Sequence, residues 1–181
     1  MPCKIYCKRL DPFFADARVA GLVIIAASLL LLGGAFFFQY VMGLQPCVLC
    51  LYQRAPHAVA FALGLLVVLL AWRFKKQKPA ALVVFFCALA YLVSTGLGIY
   101  HAGVEQHWWA SAFEACSAPG ISVGSGELLS QIESAPAVRC DAIAWQMFGI
   151  SMAGYNALLS FAMMIYCAAA SLLITRRANG F

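Results

Sequence analysis

Residues 19–38 form an unbroken apolar run of twenty residues, and that run decides what the chain can fold into. At about 1.5 Å of rise per residue, a helix of this length crosses a hydrocarbon core about 30 Å thick. Three more runs follow at 55–72, 80–100 and 145–174, the last long enough to tilt. Composition agrees: 64% of the 181 residues are hydrophobic and 10% are charged, with a mean hydropathy of +0.87. A soluble domain carries about a quarter charged residues. No single aqueous core hides this much apolar surface. The expected fold is an all-α membrane protein, a four-helix transmembrane bundle spanning residues 1–181 as one domain. Its outer loops are a short one at 39–54 and a long one at 101–144. Pro56 falls in the first turn of the second run, where a helix loses no hydrogen bond to it.

The first run could instead be a secretory signal. Such a signal has a shorter apolar region and a small-residue cleavage site, and Gln39-Tyr40-Val41-Met42 offers none. We read it as a retained span. All but Arg54 and Arg139 of the 12 Lys and Arg residues lie before residue 19, in the 73–79 turn or in the tail at Arg176-Arg177. An even number of spans puts these three segments on one side, and the positive-inside rule makes that side cytoplasmic. The net charge of +5 therefore reports topology rather than a nucleic-acid surface. Trp108, Trp109 and Trp145 flank the long loop as an interfacial aromatic belt would. Within that loop, Ser125 to Glu133 has a possible helix cap and apolar residues at helical spacing, fitting a short surface helix.

This topology sorts the 8 cysteines. Cys3 and Cys7 are cytoplasmic and stay reduced, while Cys87 and Cys167 lie inside spans as small apolar side chains. Cys47 and Cys50 face outward, and so do Cys116 and Cys140; in an oxidising compartment each pair is expected to form a disulfide. In Gln45-Pro46-Cys47-Val48-Leu49-Cys50-Leu51-Tyr52-Gln53-Arg54 the two thiols can close a small exchangeable ring or share a metal. The second span begins just beyond them, so its free N–H groups favour a thiolate. Arg54, four residues after Cys50, can stabilise that thiolate or an anionic ligand, or can snorkel to the interface. The Cys116–Cys140 pair is either a staple or a partner with which the CxxC pair exchanges, and Arg139 beside it favours a Cys140 thiolate. Structural zinc takes two close-spaced pairs, and the second pair here is widely spaced, so no metal is expected.

Four spans, Pro-Cys-Val-Leu-Cys-Leu-Tyr-Gln-Arg before the second, and a distant cysteine pair in the second outer loop together resemble the disulfide bond formation protein B (DsbB) family. Ile99-Tyr100-His101-Ala102-Gly103-Val104-Glu105, Arg139-Cys140-Asp141, Trp145 and Phe148-Gly149-Ile150-Ser151 extend the resemblance over nearly the whole chain. Cys3 and Cys7 are not part of that pattern. The resemblance implies a quinone-dependent thiol oxidase of the bacterial inner membrane that reoxidises a periplasmic DsbA-type dithiol oxidase and reduces ubiquinone or menaquinone. It implies that the partner attacks Cys116, that Cys140 attacks Cys47, and that Cys50 faces the quinone with Arg54. His101 would be a second polar contact to the quinone. Vitamin K epoxide reductase-like proteins place their quinone-facing CxxC near the last span, unlike this chain. The other alternative is a non-enzymatic four-span protein whose outer disulfides are structural.

Overall fold

The computed structural model describes residues 13–113, Cys116 and residues 138–180. Four long helices carry it: α1 (Ala17–Tyr40), α2 (Val48–Trp72), α3 (Gln77–Glu105) and α4 (Met152–Ala178). Each contains an 18-residue window of mean hydropathy 2.1 or more. The shortest has 24 residues, about 36 Å of helix and more than a hydrocarbon core requires. The chain is thus a four-helix, multi-pass membrane bundle.

Side chains set where the helices begin. The Asp16 carboxylate accepts the Arg18 backbone N–H at 2.9 Å to cap α1, and the Ser151 hydroxyl accepts from Gly154 N to cap α4. Before α4 stands a two-stranded antiparallel hairpin, β1 (Gln146–Met147) and β2 (Ile150–Ser151). Its turn residues Phe148 and Gly149 both have positive φ, at 52° and 77°, the backbone of a tight hairpin turn. The expected fourth run at 145–174 therefore splits, with the helix starting at Met152.

α2 begins at Val48, ahead of the expected run at residue 55. Pro56 consequently sits in the helix interior rather than its first turn, and Tyr52 loses the N–H it would otherwise bond. α3 continues to Glu105, so His101 lies within its last turns.

The helices pack through small side chains, as association in lipid requires close backbone approach. A Cβ on Gly98 of α3 would come within 2.9 Å of Ala157 in α4. Ile24, Val67, Val84, Cys87, Tyr91 and Cys167 fill the centre, where Tyr91 shares a hydrogen bond of 2.9 Å with Ser28. Cys87 and Cys167 are buried apolar packing, as expected. Large apolar side chains such as Leu30, Phe86 and Leu172 point outward, which suits a lipid solvent. At one end of the bundle, Tyr166 donates to Phe13 O at 3.0 Å and Arg177 to Ala15 O at 3.5 Å, joining the start of α1 to α4. The opposite end carries Cys47, Cys50, Cys116 and Cys140. Cys3, Cys7 and the expected surface helix at 125–133 lie outside the described residues.

Candidate functional site

Cys47 is the N-cap of α2. Its sulfur takes the role a serine or aspartate oxygen usually takes, accepting the Cys50 backbone N–H at 3.3 Å. The Cys50 sulfur stands 2.9 Å from it, and both are free thiols. His101 reaches across from α3, placing Nε2 3.5 Å from the Cys47 sulfur.

Which hydrogen His101 carries follows from its neighbours. Asn156 Nδ2 donates to Gln53 Oε1 at 3.2 Å, so Gln53 turns its own Nε2–H toward His101 Nδ1 at 3.0 Å. That leaves the imidazole hydrogen on Nε2, facing sulfur. Two N–H groups therefore converge on Cys47, the arrangement that stabilises a thiolate. The ligand atoms of Cys47, Cys50 and His101 lie within 4.8 Å of one another, close enough for a thiophilic metal. The Gln53 amide nevertheless occupies one imidazole nitrogen, and the other presents its hydrogen rather than its lone pair.

The second cysteine pair meets the first. Trp109 stacks on Tyr100 and donates its indole N–H to Tyr100 O at 3.1 Å, folding the chain back after α3. Gly103 permits this, because a Cβ there would fall on the Trp109 ring. Phe113 then packs on Tyr52 of α2, and Cys116 N bonds Phe113 O at 2.9 Å. Cys116 and Cys140 form a disulfide with Cα atoms 4.8 Å apart. It belongs to one buried cluster with Cys47, Leu49 and Val104, so four cysteines from three parts of the chain share a single apolar setting. Both halves of the disulfide are fully buried.

Neither arginine hydrogen-bonds a cysteine. Arg139 forms a two-pronged ion pair with Asp141, at 2.8 and 2.6 Å, rather than turning to Cys140. The guanidinium holds the Asp141 carboxyl below the usual carboxylate range. Arg54 donates to Gln39 Oε1 of α1 at 2.6 Å and lies over the Phe36 ring, with no bond to Cys50.

Arg54 and Cys50 do meet a common space. A cavity of 270 Å³ enters the bundle between α1, α2 and α4. Cys50, Arg54, His57, His101, Glu105 and Asn156 supply its polar wall, while Leu30, Leu31, Phe38, Trp145 and Leu159 form much of the apolar one. Among the described residues, the buried side-chain polar atoms without a partner are Arg54 Nε, His57 Nδ1 and Glu105 Oε2. All three residues line this cavity. Each such atom costs about 1–3 kcal/mol unless something polar meets it. The cavity could thus accept a mostly apolar group with a few polar atoms, and its 270 Å³ falls just below the roughly 300–1,000 Å³ typical of ligand sites.

The family model for disulfide bond formation protein DsbB matches residues 17–170. The chain belongs to the DsbB family. A disulfide bond formation protein B of Shewanella loihica (strain ATCC BAA-1088 / PV-4) is 33% identical over 77% of this chain and 80% of its own length. One from Aeromonas salmonicida (strain A449) is 31% identical over 76% and 78%. An uncharacterised protein of Rickettsia prowazekii (strain Madrid E) is 27% identical over 82% and 84%. No solved structure matches significantly. Membership gives the coarse function: disulfide bond formation by a multi-pass membrane protein of the DsbB family.

Gln53, His57, Glu105 and Asn156 were not singled out from the sequence. A signal for them exists. Gln53 and His57, four residues apart, place two polar side chains on one face of an apolar helix, and Asn156 and Ser160 repeat this in α4. Polar residues inside membrane helices are functional candidates by default.

Proposed function

We propose that this chain is a thiol:quinone oxidoreductase of the bacterial inner membrane, reoxidising a periplasmic DsbA-type dithiol oxidase. Both termini would be cytoplasmic, and the cysteine end periplasmic. The observation that carries the reading is that Arg54, His57 and Glu105, the residues whose buried polar atoms lack a partner among the described residues, all line one apolar-walled cavity beside Cys50.

The cysteine cluster supports a relay by thiol–disulfide exchange. An incoming thiolate from the partner attacks Cys116, and Cys140 leaves as thiolate. Cys140 then attacks Cys47 of a closed Cys47–Cys50 disulfide, and Cys50 leaves. The partner's second thiol resolves its bond to Cys116, and Cys116 attacks Cys140 to re-form that disulfide and release Cys47, so that the partner loses two electrons and two protons and the CxxC pair gains them. Because Cys116 and Cys140 are buried in the described arrangement, the contacts covering Cys116 must open to admit the partner. The N–H groups of Cys50 and His101 hold negative charge on Cys47 whenever it is released.

Bound in the cavity, a quinone supplies the terminal two-electron, two-proton acceptor. Arg54 would hold it through Nε–H, with Gln39 and Phe36 fixing the guanidinium in place. The apolar wall excludes water from Cys50.

The test is turnover of the purified protein with reduced partner and a short-chain ubiquinone or menaquinone. Partner oxidation should match quinone reduction one for one and vanish in Cys50→Ser. Arg54→Ala should lower turnover about 10- to 100-fold, the value of one charge-assisted hydrogen bond. Full turnover in Cys47→Ser or Cys50→Ser would overturn the reading.

A further inference from the structure

His57 lies one turn deeper in α2 than Gln53 and is 3% exposed. Its Nε2 is 2.8 Å from Asn156 Oδ1 and 3.1 Å from Ser94 Oγ, and no charged group is among these partners. Asn156 commits its Nδ2 to Gln53 Oε1 and to Ser94 Oγ, at 3.2 and 3.4 Å, so the atom it offers His57 is an acceptor. His57 must therefore carry its hydrogen on Nε2. A neutral imidazole has one ring hydrogen, and Nδ1 is left as a bare lone pair. That is the Nδ1 atom that finds no partner, on a residue lining the cavity.

A lone pair is met by a donor. An oxidised quinone presents carbonyl lone pairs and repels it, whereas the reduced form carries hydroxyls that can bond it. We propose that His57 is a redox-form-selective binding residue, whose Nδ1 accepts a hydroxyl hydrogen from the reduced carrier. This rests on the quinone reading above and adds a residue to it. The reaction balances: the Cys47 and Cys50 thiols close to a disulfide, and two electrons and two protons end on the carrier's two oxygens. By holding the product, His57 raises the midpoint potential of the bound couple and helps draw electrons from an oxidising dithiol. The contacts of His57 with Asn156 and Ser94 fix its ring, so the selectivity is built into the bundle rather than into a loop.

The experiment measures dissociation constants of a short-chain ubiquinone and of its quinol for the detergent-solubilised full chain, by quenching of tryptophan fluorescence. Trp145 lines the cavity and serves as reporter. His57→Phe should weaken quinol binding about tenfold and leave quinone binding within about twofold. That ratio corresponds to a fall of about 30 mV in the bound couple's midpoint potential. His57→Gln, whose side-chain oxygen can still accept, should recover part of the loss. Equal weakening of both forms, or no change in either, overturns the inference while leaving the quinone reading intact. Wild-type protein that binds neither form overturns the quinone reading and this inference with it. Should the variants not fold, the unmodified chain answers through ¹⁵N spectra of its 3 histidines. Quinol and not quinone should then shift the His57 Nδ1 resonance, and a shift with quinone alone, or with neither, overturns the inference.

Discussion

The Gln53 amide is the residue on which the cysteine chemistry turns, although it touches no sulfur. It receives the Asn156 N–H on its oxygen and gives its own N–H to His101, which fixes the histidine hydrogen on the nitrogen facing Cys47. In Gln53→Leu that orientation is lost, and the His101 hydrogen is free to move to Nδ1. Cys47 then loses one of its two N–H donors, and its thiolate is less favoured. The expected result is that alkylation of Cys47 in the reduced protein, followed by peptide mass spectrometry, moves to higher pH. The direction has a simple sign: weaker support for the anion requires more base to form it. An unchanged profile would mean that Cys50 N–H and the helix end alone hold the charge. Cys47 and Cys50 were legible in the sequence because their spacing places them at one helix mouth, whereas His101, 54 positions from Cys47, entered only through the family resemblance. Gln53 and Asn156 were not legible, since 103 positions separate them and only helix packing brings them together. The bond of Arg54 to Gln39 was hidden for the same reason, whereas the Arg139–Asp141 pair, two residues apart, was within reach of the sequence and was missed.

Among the elements, the contact of α3 with α4 sets the polar seam. Gly98 faces Ala157, next to Asn156 and one turn from His101, so that contact fixes how far apart the two helices hold their polar groups. Gly98→Val adds bulk where an added Cβ already meets Ala157 backbone at 2.9 Å. Backbone cannot give way as a flexible side chain can, and overpacking of this kind costs about 1–3 kcal/mol. Thermal unfolding in detergent should show that loss, together with weakened binding of the proposed quinone as Asn156 and Ser94 separate. Gly96→Ala, in the same helix with nothing within 4 Å of an added Cβ, should stay within about 0.5 kcal/mol of the parent. Equal effects from both would point to helix backbone freedom rather than packing. Helix existence was legible from hydropathy, but helix starts were not. The early start of α2 depends on Cys47 acting as a cap, and the late start of α4 on a hairpin whose turn residues take positive φ.

At the scale of the whole molecule, the two ends of the bundle differ in charge and chemistry. The Arg73–Lys78 turn and the Arg176-Arg177 tail lie at the end that holds Phe13 and Ala15, whereas Cys47, Cys50, Cys116, Cys140, His101 and Glu105 lie at the other. Burying apolar helices in lipid is indifferent to which end faces which compartment. Orientation is decided instead by the reluctance of Lys and Arg to cross, counted close to the span ends. That bias is large here, and the orientation proposed from it would put the thiol pairs in the oxidising compartment, where exchange with a secreted dithiol partner is possible. Two single-cysteine probes decide the matter in intact cells, each placed in a chain whose 8 native cysteines are replaced by alanine. Ser111→Cys, in the segment after α3, should react with a membrane-impermeant maleimide, and Lys76→Cys, between α2 and α3, should react after lysis alone. The reverse pattern would put Cys47 and Cys50 in the reducing cytoplasm, where the proposed relay could not hold its disulfides closed. Labelling of both in intact cells would mean that the chain inserts in two orientations. Adding two lysines beside Ser111 should then redistribute the labelling, because the charge bias and the helices contribute separately to the final topology.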